Sequence, residues 1–503
     1  MIRKRIKVTW LCLAVIAYLT SSTACQSVSV QAPRADDVRA STSVHGLSTN
    51  YEQPEATSHS APLTTPTLQT AAIELPADLG IPDYAVTPQA WSARTESVHT
   101  GFPDSWLIPD SEVVFGPSAS DFSTAEYLVS TQGSLKEYRE WLESSGWTTA
   151  AQVIVRVASE NSINPRLLLS LLEWECQCIR SPAQQALDSG YVLGVNDYHR
   201  KSLYGQLSFA ARSLAEGYYA QRSGQLPPDL IASYLLKRIT PEINPGTAAL
   251  LVYFTRLKEY RANGSDPVSL QEWEQALDWQ SGLPGLHFSM FGNPWERDRQ
   301  IGSLIPVNLQ QPVLELPFEP GRKWSFSSGP HPAWENAGSL SALDFAPATS
   351  QPGCFPSSAW VTAVADGQVV RSEYGSVILD LDEPEGAVSD GYEGSGWAVL
   401  YMHIAPEDRV AAGMRLRAGD FIGHPSCEGG PATGTHVHIA RKYNGEWIAA
   451  DSSIPFILSG WTPHNGEKSY QGSLTKDGQT VISDFYGTAL TLILRPKVGS
   501  ESP

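Results

Sequence analysis

The sequence predicts a multidomain chain in which an all-α domain is followed by an antiparallel β-rich domain. At about 150 residues per domain, 503 residues leave room for two or three cores. From about Ser134 to Leu257 apolar residues recur at helical spacing, whereas from about Val313 they fall into short runs divided by turns. Composition agrees with the second half of that reading: 40 Gly, 36 Pro, 15 Trp and 19 Tyr point to extensive strand and loop structure.

At the N-terminus, Arg3, Lys4, Arg5 and Lys7 precede the apolar run Trp10–Leu19, and Ser-Ser-Thr-Ala-Cys25 follows. Basic, apolar and small residues in that order predict a signal peptide over residues 1–25. The apolar run is too short to cross a hydrocarbon core of about 30 Å as a helix. Ala24-Cys25 also has the form of a lipoprotein processing site, which makes Cys25 a candidate lipidation point, although Ser22 stands where that pattern prefers Leu. Residues 26–85 follow as a linker. Ser, Thr and Pro make up about two-fifths of its Gln26–Thr70 stretch, too little apolar surface to offset chain entropy.

The helical domain is placed at residues 86–300. Asn164-Pro165 is a start signal, with Asn as N-cap and Pro at the first helical position, and Leu167, Leu168, Leu171 and Leu172 continue at helical spacing. Asn244-Pro245 repeats the device before Ala248–Leu257, and Tyr204–Gln221 reads as an amphipathic helix between them. Gln280–Asn308, rich in Gly, Pro and aromatics, reads as a connector.

The β domain is placed at 310–465, with a C-terminal β extension over 466–503. Its strand-type runs are Ala359–Val370, Ser376–Asp382, Trp397–His403 and Thr435–Tyr443. Ala365-Asp366-Gly367, Ala418-Gly419-Asp420 and Glu428-Gly429-Gly430 supply turns between them.

Charge and cysteine content narrow the function. Lys and Arg number 35 against 53 Asp and Glu, a formal −18, which argues against a nucleic-acid binder, since that would need a basic face to neutralise phosphates. Beyond the N-terminal segment four cysteines remain, and export would allow them to oxidise. Cys354 and Cys427 share the β domain and form the disulfide candidate. Cys176 and Cys178 lie one residue apart on a predicted helix, where side chains diverge, so no bridge is expected between them.

The chemistry is concentrated in the β domain. In Gly434-Thr435-His436-Val437-His438 two histidines two residues apart on a strand project from one face. His403 ends another strand. His331, in Gly-Pro-His-Pro, precedes Ser341-Ala342-Leu343-Asp344-Phe345. Three His/Asp ligands with an open fourth position suit a catalytic zinc.

Taken with Val364–Val370, Tyr374-Gly375, Leu400–Ile404 and Leu416–Gly423, these segments resemble, in order and spacing, the lysostaphin/LytM-type zinc metalloendopeptidases that cut peptide cross-links in bacterial cell walls. The resemblance spans roughly Val313–Gly460, under a third of the chain. It implies one Zn2+ per chain held by His331, Asp344 and His438, with His403 and His436 as catalytic histidines and peptidoglycan as substrate. One departure stands out. The family separates its first His and the Asp by three residues, but Leu340 occupies that position here, and His331 lies thirteen before Asp344. A looped insertion must therefore return His331 to the metal. His424, in a Gly-His-Pro loop, is the nearest spare histidine and reads as structural.

A weaker resemblance lies upstream. Asn164-Pro-Arg-Leu-Leu-Leu-Ser-Leu-Leu-Glu-Trp-Glu175 resembles the segment before the catalytic Glu of lysozyme-like lytic transglycosylases, which makes Glu175 a candidate general acid towards glycan. Cys176-Gln177 replace the Ser-Gly pair usual there. The sequence therefore predicts an exported enzyme of the extracellular space or cell envelope, touching a membrane only through an N-terminal lipid at Cys25. The competing reading is a non-catalytic wall-binding or hydrolase-activating protein.

Overall fold

The computed structural model describes residues 106–226, 243–261, 275–348, 353–383 and 388–497, all within one compact unit. The signal peptide, Cys25 and the linker lie outside the described residues.

The first part is mostly helical. After α1 (Thr124–Ser130) comes a hairpin of β1 (Arg139–Leu142) and β2 (Gly146–Thr149), where the sequence had read as helical. Thr149 and Gln152 then form a reciprocal capping box that starts α2 (Ala150–Asn161). Asn164 caps α3 (Pro165–Cys176) through its side chain, with Pro165 in the first turn. The short α4 (Gln185–Ser189) leads to α5 (Leu203–Arg222), which packs along α6 (Pro245–Arg261).

Two expectations fail here. The segment read as a connector holds two helices, α7 (Leu283–Phe291) and α8 (Pro294–Ile301), each with its proline in the first turn, where no amide hydrogen is needed. Cys176 and Cys178 are bridged. The helix stops at Cys176, and Gln177 adopts φ +50°, so the chain turns back and brings Cys178 to its neighbour.

The second part is an antiparallel sheet. Its strands are β3 (Lys323–His331), β4 (Ala342–Pro347), β6 (Gly367–Glu373), β7 (Ser376–Leu381), β8 (Trp397–Met402), β9 (Arg415–Leu416), β11 (Val437–Tyr443), β12 (Glu446–Trp447) and β16 (Leu492–Leu494). They run in the order β16-β3-β4-β11-β8-β7-β6-β9, with β12 paired to β11. The run expected over Ala359–Val370 divides at a turn into β5 (Val361–Thr362), which pairs with β10 (Phe421–Gly423), and β6. Near the C-terminus β13 (Thr462–Asn465), β14 (Gly472–Lys476) and β15 (Gln479–Ile482) form a separate small sheet.

Alternation along the strands divides the large sheet into two faces. Leu343, Phe345, Val377, Leu379, Val399, Tyr401, Val437 and Ile439 point into a core with Phe318, Trp324 and Phe456. Ala342, Ile378, Ala398, Leu400, Met402 and Ala440 point the other way and share one core with Leu168, Leu207, Leu214 and Leu250 of the helices. Polar contacts cross the same seam. The Tyr218 hydroxyl donates to Glu446 at 2.9 Å, the Trp447 amide donates to the Tyr219 oxygen at 2.9 Å, and Ser162 Oγ donates to the Gly445 carbonyl at 2.6 Å.

This corrects the expected fold class. The helices do not form a free-standing all-α, lysozyme-like domain; the chain is mixed α and β, and its helices cover one face of the sheet. A large apolar side chain such as Leu400 or Trp447 gains about 1.5–3 kcal/mol on burial, which that face would forfeit without its cover. Among the described residues no helix is long and apolar enough to cross a membrane.

Candidate metal centre

Strand register assembles the site. Asp344 on β4 lies directly opposite His438 on β11, and His438 lies opposite Met402, the residue before His403. Directly opposed residues hold their Cβ atoms about 4.5–5.5 Å apart, so these side chains meet on one face. The distant His331 arrives by a hairpin. It ends β3 and pairs with Ala342, two residues before Asp344, which puts it beside the carboxylate. Residues 332–341 form the excursion that the sequence demanded, and its Ala333 and Trp334 pack into the helical core.

Backbone carbonyls fix the tautomers. A carbonyl oxygen can only accept, so the ring nitrogen facing it must carry the proton. His331 donates from Nδ1 to Gly329 at 2.8 Å, and His438 donates from Nε2 to Ala333 at 3.0 Å. Their other nitrogens, His331 Nε2 and His438 Nδ1, are therefore bare when the rings are neutral, and they lie 2.9 Å apart. Asp344 Oδ1 sits 3.2 Å from each. Three buried acceptors thus converge with no proton of their own between them, and Asp344 Oδ1 is a buried oxygen lacking a hydrogen-bond partner. A tetrahedral zinc with bonds of about 2.0–2.1 Å separates its ligands by about 3.3 Å, close to this spacing.

Electrostatics point the same way. Burial alone would raise the Asp344 carboxyl, but the adjacent His331 and then His436 hold it well below the usual range. Burial would lower the His331 imidazole, yet Asp344 raises it. The cluster favours a positive charge at its centre.

The two remaining histidines stand alongside. His403 donates from Nδ1 to the Glu428 carbonyl at 2.7 Å, and His436 donates from Nδ1 to Gly434 at 2.7 Å, so both present a bare Nε2. Their rings lie 4.4 Å apart, and His436 Nε2 is 3.7 Å from Asp344 Oδ2. His403 is lowered to about 3 by burial first, then by His436 and His438, which keeps it neutral at physiological pH. It also holds φ +66°, an unusual conformation for a residue with a Cβ, maintained by a 2.6 Å bond from the Ser426 amide to its carbonyl.

Other sequence candidates fall elsewhere. His424 donates from Nδ1 to the Ala359 carbonyl and packs at a tilt against Trp360, outside the cluster. Cys354 and Cys427 are joined, with Cα atoms 5.8 Å apart, and the bridge ties the Gly353 turn to the loop leading to His436. Glu175 is ion-paired with Arg261, which also donates to the Leu193 carbonyl at 2.8 Å. With the lysozyme-like domain gone, no glycan chemistry is assigned to it.

Sequence reasoning missed two features. Tyr470 stacks on His331, ring centroids 4.4 Å apart, and nothing in Lys-Ser-Tyr-Gln-Gly announces it. Ser170, His287 and Glu112 line up through contacts of 2.8 and 3.0 Å in the manner of a hydrolase triad. They are wholly buried, Ser170 already donates to Arg166, and Arg297 clamps Glu112, so the group is a core network.

The ligand geometry and the two histidines beside it resemble the centre of a lysostaphin/LytM-type metalloendopeptidase, and the chain is similar in sequence to proteins of that activity. Residues 106–307 match the model of the LasA N-terminal domain. Protease LasA of Pseudomonas aeruginosa is 26% identical over 354 residues, covering 68% of this chain and 75% of that protein. The beta-lytic metalloendopeptidase of Achromobacter lyticus is 26% identical over 190 residues, covering 35% of this chain and 45% of its own length. Among solved structures, the deep-sea M23 metalloprotease pseudoalterin is 22% identical, with 34% of this chain and 96% of that chain covered at a TM-score of 0.28.

Proposed function

We propose that the protein is a zinc metalloendopeptidase that hydrolyses peptide bonds in peptidoglycan, in cross-links or stem peptides. One observation carries this reading: the convergence of His331 Nε2, His438 Nδ1 and Asp344 Oδ1 on one buried point, with each imidazole held from behind by a backbone carbonyl. Thiolate-free ligation by two imidazoles and a carboxylate is the donor set of a catalytic zinc site. Bound there, zinc supplies Lewis acidity to the scissile carbonyl and makes water acidic enough to act as a nucleophile near neutral pH.

The chain's own residues do the rest. Asp344 and the two liganding histidines leave one side open. His403 and His436 each offer a bare Nε2 beside it, able to accept a proton from the attacking water and return it to the leaving amine. Once protonated, either ring becomes a donor towards the developing oxyanion. Two disulfides among the described residues fit work outside the cytoplasm. A lipid at Cys25 would hold the enzyme at the cell envelope.

Metal content and wall digestion test the reading together. The purified protein should carry about one zinc per chain, and His438→Ala and Asp344→Ala should each lose it along with the new peptide termini released from peptidoglycan. Either variant retaining a full equivalent of zinc overturns the ligand assignment. Metal-loaded protein that releases no peptide termini overturns the substrate.

A further inference from the structure

We infer that Tyr470, carried by the C-terminal small sheet, is a positioning residue that holds the His331 ring in its liganding orientation. The inference rests on the reading of His331 as a ligand and extends the site beyond the segments that the resemblance covers.

A liganding imidazole must be fixed about the bond joining its ring to Cβ. The 2.8 Å bond from His331 Nδ1 to the Gly329 carbonyl supplies one restraint in the plane of the ring. It leaves rocking out of the plane free. Tyr470 supplies the second restraint: its ring lies over the imidazole with centroids 4.4 Å apart and an interplanar angle of 21°.

The backbone is built to keep it there. The Gly329 amide donates to the Tyr470 carbonyl at 2.8 Å, and the Tyr470 amide donates to the Pro330 carbonyl at 3.1 Å, so the two chains clasp on either side of the ligand. That clasp needs glycine on both partners. A Cβ on Gly329 would lie 2.5 Å from the backbone of Gln471, and one on Gly472 would lie 2.4 Å from the His464 carbonyl. Tyr470 itself holds φ +72°, in the left-handed region that costs an aromatic residue free energy. A surface loop has no need of that conformation. Here it is what turns the ring onto His331, while the other side of the residue stays open at 46% exposure.

Partners that orient a liganding histidine are typically worth 10–100-fold in metal affinity. The test is zinc titration of the metal-stripped full-length protein against a chromophoric chelator, for the wild type, Tyr470→Phe, Tyr470→Leu, Tyr470→Ala and His331→Ala. Circular dichroism of each variant checks folding. Tyr470→Leu and Tyr470→Ala should bind zinc about tenfold or more weakly, while Tyr470→Phe, which keeps the stacked ring, stays within about twofold of wild type. Should Tyr470→Ala unfold, the Phe and Leu pair alone decides. Wild-type affinity in Tyr470→Leu, or equal losses in Phe and Leu, overturns the inference. His331→Ala separates the layers: full affinity there removes His331 as a ligand, whereas loss there with none in Tyr470→Leu defeats the positioning role alone.

Discussion

Each of the four clustered imidazoles gives one ring proton to a backbone carbonyl: His331 to Gly329, His438 to Ala333, His403 to Glu428 and His436 to Gly434. The remaining nitrogens differ in what they face, and on the proposed function that difference separates ligands from proton carriers. Replacing a carrier should therefore spare the metal. His403→Ala and His436→Ala are expected to retain zinc and lose about 10²–10⁴-fold in turnover, the usual worth of positioned acid–base help. Metal analysis paired with a peptide-release assay checks this, and zinc loss in both variants would mean that ligands and carriers have been confused. At this scale the sequence was informative where chemistry and strand period coincide, as in His436 and His438. It was silent on Tyr470, because a ring that acts by stacking has no spacing to the residue it serves.

At the scale of single elements, β11 is the member on which most depends. Beside His438 it carries Lys442, whose ammonium is buried 2.8 Å from Glu393, and Arg371 of β6 grips the same carboxylate at 2.9 and 3.2 Å. Burial would raise the Glu393 carboxyl, but Arg371 and then Lys442 lower it to about 2. In the unfolded chain the group titrates near 4.5. Between those values the unfolded state binds more protons, so stability falls as the pH drops. The contribution is intact above about 4.5 and disappears as pH falls through about 2. Denaturant midpoints across that window should decline with acid in the wild type. In Glu393→Gln the curve should flatten and sit about 3–5 kcal/mol lower at neutral pH, since two buried cations lose their counter-charge. A parallel acid decline in the variant would place the titration elsewhere. Element boundaries were legible where a cap announces them, as at Asn164 and Asn244. They were lost over Gln280–Asn308, because Pro284 and Pro294 mark a loop and a first helical turn equally well. Cys176 and Cys178 diverge on an ideal helix, and only the left-handed Gln177 joins them.

For the whole molecule, the sheet face that bears Asp344 and His438 also bears Ala342, Leu400 and Ala440, and these pack with the helices. Periodicity in α3 and α5 revealed which residues were apolar but not that a sheet would cover them, so an all-α domain was the natural reading. A shared core predicts shared melting. Calorimetry of the full chain should show one cooperative transition for the helices and the sheet together. Reducing Trp447 to Ala, with a cost of about 3–5 kcal/mol for a buried aromatic, should move both helical and sheet signals by the same amount. Two resolved peaks, or a shift confined to one signal, would restore separate domains.

The double use of β11 has a consequence for how freely this enzyme varies by mutation. Val437 and Ile439 answer to one core, and Ala440 to the other. His438 answers to the metal centre and Lys442 to the buried carboxylate, while Arg441 is enclosed between Trp397 and Phe456. Every residue of the strand except Tyr443 is buried. A neutral walk through sequence space finds no silent step there, whereas β15, exposed at all its positions but Val481, can drift. Across variants that still fold and cut, β11 should stand as an unbroken run of intolerant positions, with β4 and β8 on either side of it changing only where β11 and the facing core permit.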